Sequence, residues 1–290
     1  MPESLTAMPA IALENVSYIY GKGTPFEVQA LKDVSFSVKK GSITGLIGHT
    51  GSGKSTIVQL LNGLERPLSG RVLLNGEDIW QNPKRMREIR FRVGVVMQYP
   101  EYQLFEETVR ADIAFGPKNM GLPEAEIAAR VRDAAELVAL TEAELSASPF
   151  DLSGGQKRRA AIAGVMAMRP EVLVLDEPAA GLDPRGRDSI LGAIRNYART
   201  TGATVLIVSH SMEDMAAFCD EIVVMAHAGV FLSGTRDEVF SHAEQLASVG
   251  LDVPQITHLA LFLRKLGVSG IPENIYTVDA ALAAILPLFR

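Results

Sequence analysis

Residues 43–64 read ITGLIGHTGSGKSTIVQLLNGL, and this stretch decides the fold. Its first residues are mostly apolar, which is typical of a buried strand. Residues 48–55 match the pattern G-x-x-x-x-G-K-[ST], and a helix-like run follows from Lys54 to Leu64. A strand, a glycine-rich loop and a helix in this order predict a phosphate-binding loop.

The residue types in this loop fit the binding of a nucleotide. Glycine lets backbone N–H groups approach phosphate oxygens, and the helix start adds its positive dipole end. We expect Lys54 to contact the outer phosphates and Ser55 to ligate Mg²⁺ through its hydroxyl. His49 stands at a position of the pattern that accepts any residue, so we expect it to have no catalytic role. The predicted phosphate-site residues are Gly48, His49, Thr50, Gly51, Ser52, Gly53, Lys54, Ser55 and Thr56.

A second stretch, VLVLDE at residues 172–177, supplies acidic groups. Its four apolar residues predict a buried parallel strand, and such strands end at the ligand-binding edge of a sheet. We therefore expect Asp176 to hold Mg²⁺, directly or through water. Glu177 points to the other side of the strand, where it can accept a proton from the water that attacks the terminal phosphate. Together with the phosphate loop, these carboxylates predict nucleotide hydrolysis.

The pentapeptide LSGGQ at residues 152–156 predicts a second helix start suited to an anion. Ser153 is a good N-cap, and the two glycines after it leave backbone amides accessible. A helix with an ordinary N-cap and no ligand is the alternative, but the pentapeptide LSGGQ rarely occurs by chance at ordinary residue frequencies.

Composition and charge restrict the class of protein. The 290 residues are 47% hydrophobic and 21% charged, which is ordinary for a globular chain. The 28 Lys and Arg residues against 34 Asp and Glu residues give a net charge of −6, so we expect no nucleic-acid partner. The single cysteine, Cys219, is expected to be buried in a protein of a reducing compartment. We find no secretory start and no apolar run near the ~20 residues of a membrane span, so we expect contact with a membrane only through a partner.

The order of predicted elements indicates an α/β fold. Short strands fill residues 11–38 and 71–79, the second set around the hairpin turn Asn75-Gly76. Further strands at 93–97, 172–175 and 204–208 alternate with helices, which predicts a parallel sheet covered on both faces.

The phosphate loop, LSGGQ and VLVLDEP, in that order, resemble an ATP-binding-cassette (ABC) ATPase over nearly all of residues 10–240. The resemblance implies a P-loop NTPase (RecA-like) core with an N-terminal antiparallel β subdomain and an inserted helical subdomain at about 101–168. The expected division is an N-terminal tail at 1–10, the cassette at 11–240 and a C-terminal helical extension at 241–290.

The same resemblance implies roles for single residues. Tyr20 corresponds to the aromatic residue that stacks on adenine, with a strand aromatic on a packed face as the alternative. Gln98 resembles the glutamine that contacts Mg²⁺ and the attacking water, His210 the histidine that faces the terminal phosphate, and Asp183 the D-loop aspartate. The implied sets are Glu177, His210 and Gln98 for catalysis and Ser55, Gln98 and Asp176 for Mg²⁺. In a head-to-tail pair, the signature residues Leu152, Ser153, Gly154, Gly155 and Gln156 would close over the ATP of the other subunit.

Residues after Gln98 indicate the subclass. Three stretches resemble the ATPases of energy-coupling factor (ECF) transporters, in the cobalt (CbiO-like) family: QYPEYQLFEETV at 98–109, GHT in the phosphate loop and QKRR at 156–159. The resemblance is greatest to the second ATPase subunit of these transporters, A′. Tyr102, Leu104 and Phe105 would expose apolar surface for the coupling helices of a membrane T component; filling the core of the helical subdomain is the alternative. Ala179 stands where the family usually has Thr.

The resemblance thus implies an ATPase that uses ATP and Mg²⁺ at the cytoplasmic face of the cell membrane. Its partners would be a second ABC ATPase subunit, as a heterodimer rather than a homodimer, with the T component and an S component that selects a vitamin or other micronutrient. Alternatives are a cobalt or nickel importer, a non-transport cassette acting on ribosomes or DNA, and a P-loop kinase. In the extension, Leu259, Phe262, Leu263 and Leu266 share one helical face, which would pack on the cassette or on a second subunit.

Overall fold

Two sheets form the framework of the protein in a computed structural model that describes residues 8–272 and 274–289. Residues 1–7 of the predicted N-terminal tail lie outside the described residues. The strands are β1 (Ile11–Tyr20), β2 (Val28–Val38), β3 (Ile43–Gly48), β4 (Ser69–Leu74), β5 (Glu77–Asp78), β6 (Val93–Val96), β7 (Val172–Asp176), β8 (Thr204–Val208), β9 (Glu221–Ala226) and β10 (Gly229–Thr235).

Helices cover the sheets and fill the segments between them. They are α1 (Lys54–Leu61), α2 (Met86–Arg92), α3 (Val109–Asn119), α4 (Glu124–Leu137), α5 (Glu142–Ser146), α6 (Gly154–Met166), α7 (Pro184–Thr201), α8 (Met212–Phe218), α9 (Arg236–Ser241), α10 (Ala243–Ser248), α11 (Gln255–Lys265) and α12 (Val278–Ile285). Short 3₁₀ turns span Pro83–Arg85, Pro100–Gln103, Pro149–Asp151 and Leu286–Phe289. In the described part of the chain, no helix is both long and apolar enough to span a bilayer.

The first sheet is antiparallel, in the order β2-β1-β4-β5. Its β4–β5 hairpin turns at Asn75 and Gly76, whose φ angles of 51° and 82° are both left-handed. Two such residues in sequence are what a two-residue type I′ hairpin requires, so the predicted turn is confirmed.

The second sheet, in the order β10-β9-β3-β8-β7-β6, is parallel except for the edge strand β10. Strand β3, buried along its whole length, lies in the middle between β9 and β8. Alternate residues of β7 face opposite sides, so that Val172 and Val174 pack with α1 and the antiparallel sheet. Leu173 and Leu175 pack with α3, α6 and α7. The predicted α/β class, with a parallel sheet covered on both faces, is confirmed.

The C-terminal helices α11 and α12 pack around a small cluster of Ala260, Ile271, Ile275 and Ala281, and Leu263 contacts it. The rest of the predicted apolar face stays open, because Leu259, Phe262 and Leu266 are exposed. In the single chain this face therefore does not pack on its own cassette.

Candidate functional site

The phosphate loop leaves the carboxyl end of β3 and enters α1, as predicted. Gly53 lies at the start of α1 with a φ of +103°, which an L side chain rarely adopts. A Cβ there would lie 2.5 Å from Leu31 Cδ2 and 2.6 Å from the Ala30 carbonyl oxygen. Glycine is required at Gly53 because β2 packs directly against the loop.

Lys54 is held over the loop by backbone oxygens. Its Nζ donates to the carbonyl oxygens of Gly48 at 2.7 Å and His49 at 3.0 Å. Burial lowers the pKa of Lys54, while the nearby carboxylates of Glu177 and Asp176 act in the opposite direction. An anion bound in the loop would stabilise the ammonium charge that burial disfavours.

Asp176 ends β7 next to the start of α1. Its Oδ2 lies 3.4 Å from Ser55 Oγ, and the side chain is buried. Burial raises the pKa of Asp176, the charge of Glu177 raises it further, and Ser55 and Lys54 lower it. A buried carboxylate beside a hydroxyl is the hard oxygen donor set that Mg²⁺ prefers, so these residues fit the ion.

Glu177 and His210 are brought into contact. The Nδ1 of His210 lies 2.7 Å from Glu177 Oε1, and Ser209 Oγ donates to Glu177 Oε2 at 3.3 Å. Glu177 has a left-handed φ of 52°, and its N–H donates to the Val208 carbonyl oxygen at 2.9 Å. A strained backbone held by the neighbouring strand fixes the direction of this carboxylate.

One cavity of about 890 Å³ contains most of the predicted site. It lies at the carboxyl ends of the parallel strands, where such sheets bind ligands. Its predicted lining residues are Tyr20, Gly48, His49, Thr50, Gly51, Gly53, Lys54, Ser55, Thr56, Gln98, Asp176, Glu177 and His210. Ser52 differs, because its buried side chain does not line the cavity.

Tyr20 stands at one wall of the cavity. Its hydroxyl lies 3.2 Å from Thr56 Oγ1 and donates to Gln59 Oε1 at 3.1 Å. The ring meets Tyr18 edge to face and is partly exposed, so it is not enclosed in a core.

Other lining residues escaped the sequence analysis. Val28, Gln29 and Ala30 begin β2, and their position just across the turn from Tyr20 was a usable signal. Met212 begins α8, two residues after His210, whereas Gly250, Leu251 and Asp252 come from the segment between α10 and α11. No motif marks that last segment.

The predicted signature residues lie elsewhere. Ser153 caps α6: its Oγ accepts from the Gln156 N–H at 3.4 Å, and the Ser153 N–H donates to Gln156 Oε1 at 2.8 Å. Asp183 caps α7 by accepting from the Gly186 N–H at 2.8 Å. Leu152, Ser153, Gly154, Gly155, Gln156 and Asp183 are all absent from the cavity lining among the described residues.

The predicted partner surface is exposed only in part. Tyr102 is 85% exposed, and Phe105 is exposed and meets Phe115 edge to face at 4.9 Å. The prediction that Leu104 is exposed is wrong, because this side chain is partly buried and packs against the main core. Phe150 is a further exposed aromatic of the same helical segment that the sequence analysis did not select.

Comparison with known proteins adds a family. The family described as "ABC transporter" matches residues 31–180. The chain is 52% identical over 280 residues to the energy-coupling factor transporter ATP-binding protein EcfA2 of Caldanaerobacter subterraneus subsp. tengcongensis, covering 97% of this chain and 98% of the relative.

Solved structures give the same picture. The structure of cbiO1 from Clostridium perfringens, described as part of the ABC transporter complex cbiONQ, matches with a TM-score of 0.74 at 39% identity, over 87% of this chain and 98% of that chain. A dimeric post-hydrolysis structure of the ATP-binding cassette MJ0796, bound to ADP and Pi, matches with a TM-score of 0.70 at 25% identity, over 78% of this chain and 98% of that one.

Proposed function

The chain belongs to the energy-coupling factor transporter ATP-binding proteins of the ABC transporter family, and we propose that its ATP site is the cavity of the phosphate loop. The protein is an ATPase subunit of an ECF-type importer and hydrolyses ATP to ADP and phosphate. One observation carries the site assignment: the phosphate loop, Asp176 and the Glu177–His210 pair line a single cavity.

The phosphate loop and Tyr20 bind ATP in this proposal. Backbone N–H groups of the loop and the ammonium of Lys54 approach the phosphates, so that Lys54 exchanges carbonyl partners for an anion. The partly exposed ring of Tyr20 stacks on adenine, where base–aromatic stacking contributes about 1–3 kcal/mol.

Ser55, Asp176 and Gln98 would hold Mg²⁺. The raised pKa of Asp176 supports this assignment, because a bound cation would stabilise its carboxylate in place of the water that burial removes. When bound, the ion supplies positive charge that offsets the charge developing on the phosphate oxygens.

Glu177 is the general base. Its carboxylate accepts a proton from the attacking water, while His210 and Ser209 hold the side chain in place. His210 is itself well exposed to the cavity, which leaves it free to face the terminal phosphate.

A second ATPase subunit would complete the site. The exposed start of α6 carries Ser153 and Gly154 outside the cavity of their own chain, which supports binding of ATP in trans between two subunits. The similarity to a dimeric cassette supports a pair of ATPase subunits. The sequence of residues 98–109, which resembles that of the A′ subunit, favours a heterodimer.

Membrane components would dock on the exposed aromatic residues beside the nucleotide site. Tyr102 and Phe105 would receive the coupling helices of a T component, and an S component would select the cargo, a vitamin or other micronutrient. In this proposal the chain would lie at the cytoplasmic face of the cell membrane. The cassette at 11–240 would carry the ATP site, and the extension at 241–290 would contact the second subunit.

Substitution of the base tests the site. In the assembled complex we expect E177Q to lower ATP hydrolysis by about 10²–10⁴-fold and to leave ATP bound, because glutamine keeps the shape but accepts no proton. E136Q makes the same change at an exposed position on α4 and should hydrolyse ATP normally. Normal hydrolysis by E177Q would refute the assigned mechanism.

A further inference from the structure

Arg158 is a charged side chain in an interior position. It lies on the second turn of α6 and is 4% exposed. Burial of an unpaired guanidinium would be strongly unfavourable, so its partners matter. Its Nε and Nη2 donate to the two carboxylate oxygens of Glu101 at 3.1 and 2.9 Å, and its Nη1 donates to the Ala180 carbonyl oxygen.

The two partners belong to segments with different proposed tasks. Glu101 lies in the 3₁₀ turn Pro100–Gln103, between Gln98 of the cavity and the exposed ring of Tyr102. Ala180 lies between the base Glu177 and Asp183, which caps α7. One guanidinium on α6 therefore connects the proposed partner surface with the loop that follows the base.

The geometry of this connection makes it stiff. Both oxygens of Glu101 are engaged by a planar fork, and the Glu101 side chain is only 16% exposed. A bidentate pair fixes orientation as well as distance, and a packed interior shifts between discrete arrangements rather than deforming gradually. A displacement of the turn Pro100–Gln103 must therefore move Arg158 and, with it, the backbone at Ala180.

We propose that Arg158 is a positioning residue that transmits engagement of the surface at Tyr102 and Phe105 to the loop 180–183 beside the catalytic base. The proposal rests on the proposed function, because it takes that surface as the docking site of the membrane T component. Loss of the connection would leave ATP binding intact and weaken the response of hydrolysis to the T component.

The chain offers a matched control. Arg130 on α4 is also mostly buried, donates through Nε and Nη2 to Glu126, and donates through Nη1 to the Met168 carbonyl oxygen at 3.0 Å. Both donors meet the same oxygen, Oε1, of Glu126, so Arg130 also pairs with one carboxylate and one backbone carbonyl, but these contacts involve neither the turn Pro100–Gln103 nor the loop 180–183. Substitution of Arg130 therefore measures the effect of losing a buried arginine on stability, without any effect on the proposed connection.

The experiment compares R158K and R130K in the complex with the second ATPase subunit and the T component, in detergent. We expect R158K to keep the KM for ATP within about twofold and to lower kcat about tenfold, whereas R130K leaves both near wild type. Hydrogen exchange of residues 180–183 should slow when the T component binds wild type or R130K, and should not respond in R158K.

Clear outcomes would overturn the proposal. One is that R158K keeps the wild-type kcat and the wild-type exchange response. The other is that R130K loses kcat and the exchange response as strongly as R158K does. If R158K proves unstable by thermal unfolding, E101Q breaks the same fork from the other side and should lose the same exchange response. A wild-type complex that hydrolyses no ATP would refute the proposed function, whereas one that hydrolyses ATP without a response at 180–183 would refute only the role of Arg158.

Discussion

Asp176 destabilises the nucleotide-free chain in a way that its proposed ligands would relieve. Burial raises the pKa of this carboxyl, and the charge of Glu177 adds to the effect. A carboxyl with a raised folded-state pKa binds its proton more tightly in the folded protein than in the unfolded chain. Stability therefore falls as pH rises from the unfolded-state pKa to the folded-state pKa, and the full penalty remains at neutral pH.

We expect D176N to raise both the free energy of unfolding and the Tm of the nucleotide-free chain at neutral pH, because asparagine carries no charge. The gain should disappear as the pH falls below the pKa of an aspartate in the unfolded chain, about 3.9, because the carboxyl then carries a proton in the unfolded chain too. Thermal unfolding across this pH range gives the measurement. D188N, at an exposed position on α7, is the control and should change little. A D176N protein less stable than wild type at neutral pH would contradict the argument.

At the scale of elements, the start of α6 combines a structural cap with a proposed task in trans. Ser153 and Gln156 form a capping box, and so do Thr235 and Glu238 at the start of α9. Loss of such a cap costs about 1 kcal/mol in either helix. The two helix starts thus separate the structural effect of a cap from its effect on ATP.

We expect S153A and T235A to destabilise the isolated chain by similar amounts, about 1 kcal/mol each by thermal unfolding. In the assembled ATPase pair, only S153A should lower hydrolysis, because only α6 would face the ATP of the other subunit. Binding of ATP to the isolated chain should be unchanged in both variants. Equal hydrolysis by the two assembled variants would argue against a signature contact in trans.

The same elements show what the sequence could and could not predict. The strand β3, its loop and α1 are contiguous, so residue order alone placed Lys54 and Ser55 at the cavity. The segment Gly250–Asp252 reaches the cavity because Leu251 and Val253 are buried in the main core, far along the chain from the loop. Two isolated apolar residues carry no periodic signal, so this contact was not predictable. The exposure of Leu104 was wrongly predicted for a related reason, because it depends on how the side chain packs against the main core.

At the scale of the whole molecule, the single chain leaves several surfaces incomplete. Phe262 and Leu266 on the extension are 57% and 64% exposed, and Leu259 beside them is exposed too. Exposed apolar groups that cluster on one helix usually mark a protein–protein contact. The start of α6 is exposed as well, as it must be if it binds an ATP that lies in another subunit. Both features would be explained by the proposed assembly, in which a second ATPase subunit covers the extension and presents its ATP to α6.

We expect the double substitution F262D and L266D to weaken this assembly and to leave the isolated chain folded. Because both side chains are largely exposed, their loss should change the Tm of the isolated chain by no more than about 2 °C. Sedimentation of the mixed ATPase subunits should show an association at least about tenfold weaker, since two buried apolar groups would become charged groups in an apolar contact. L68D, which replaces an exposed leucine before β4, provides the matched control and should assemble normally. Assembly of the double variant at wild-type affinity would show that the extension does not contact the second subunit through this face.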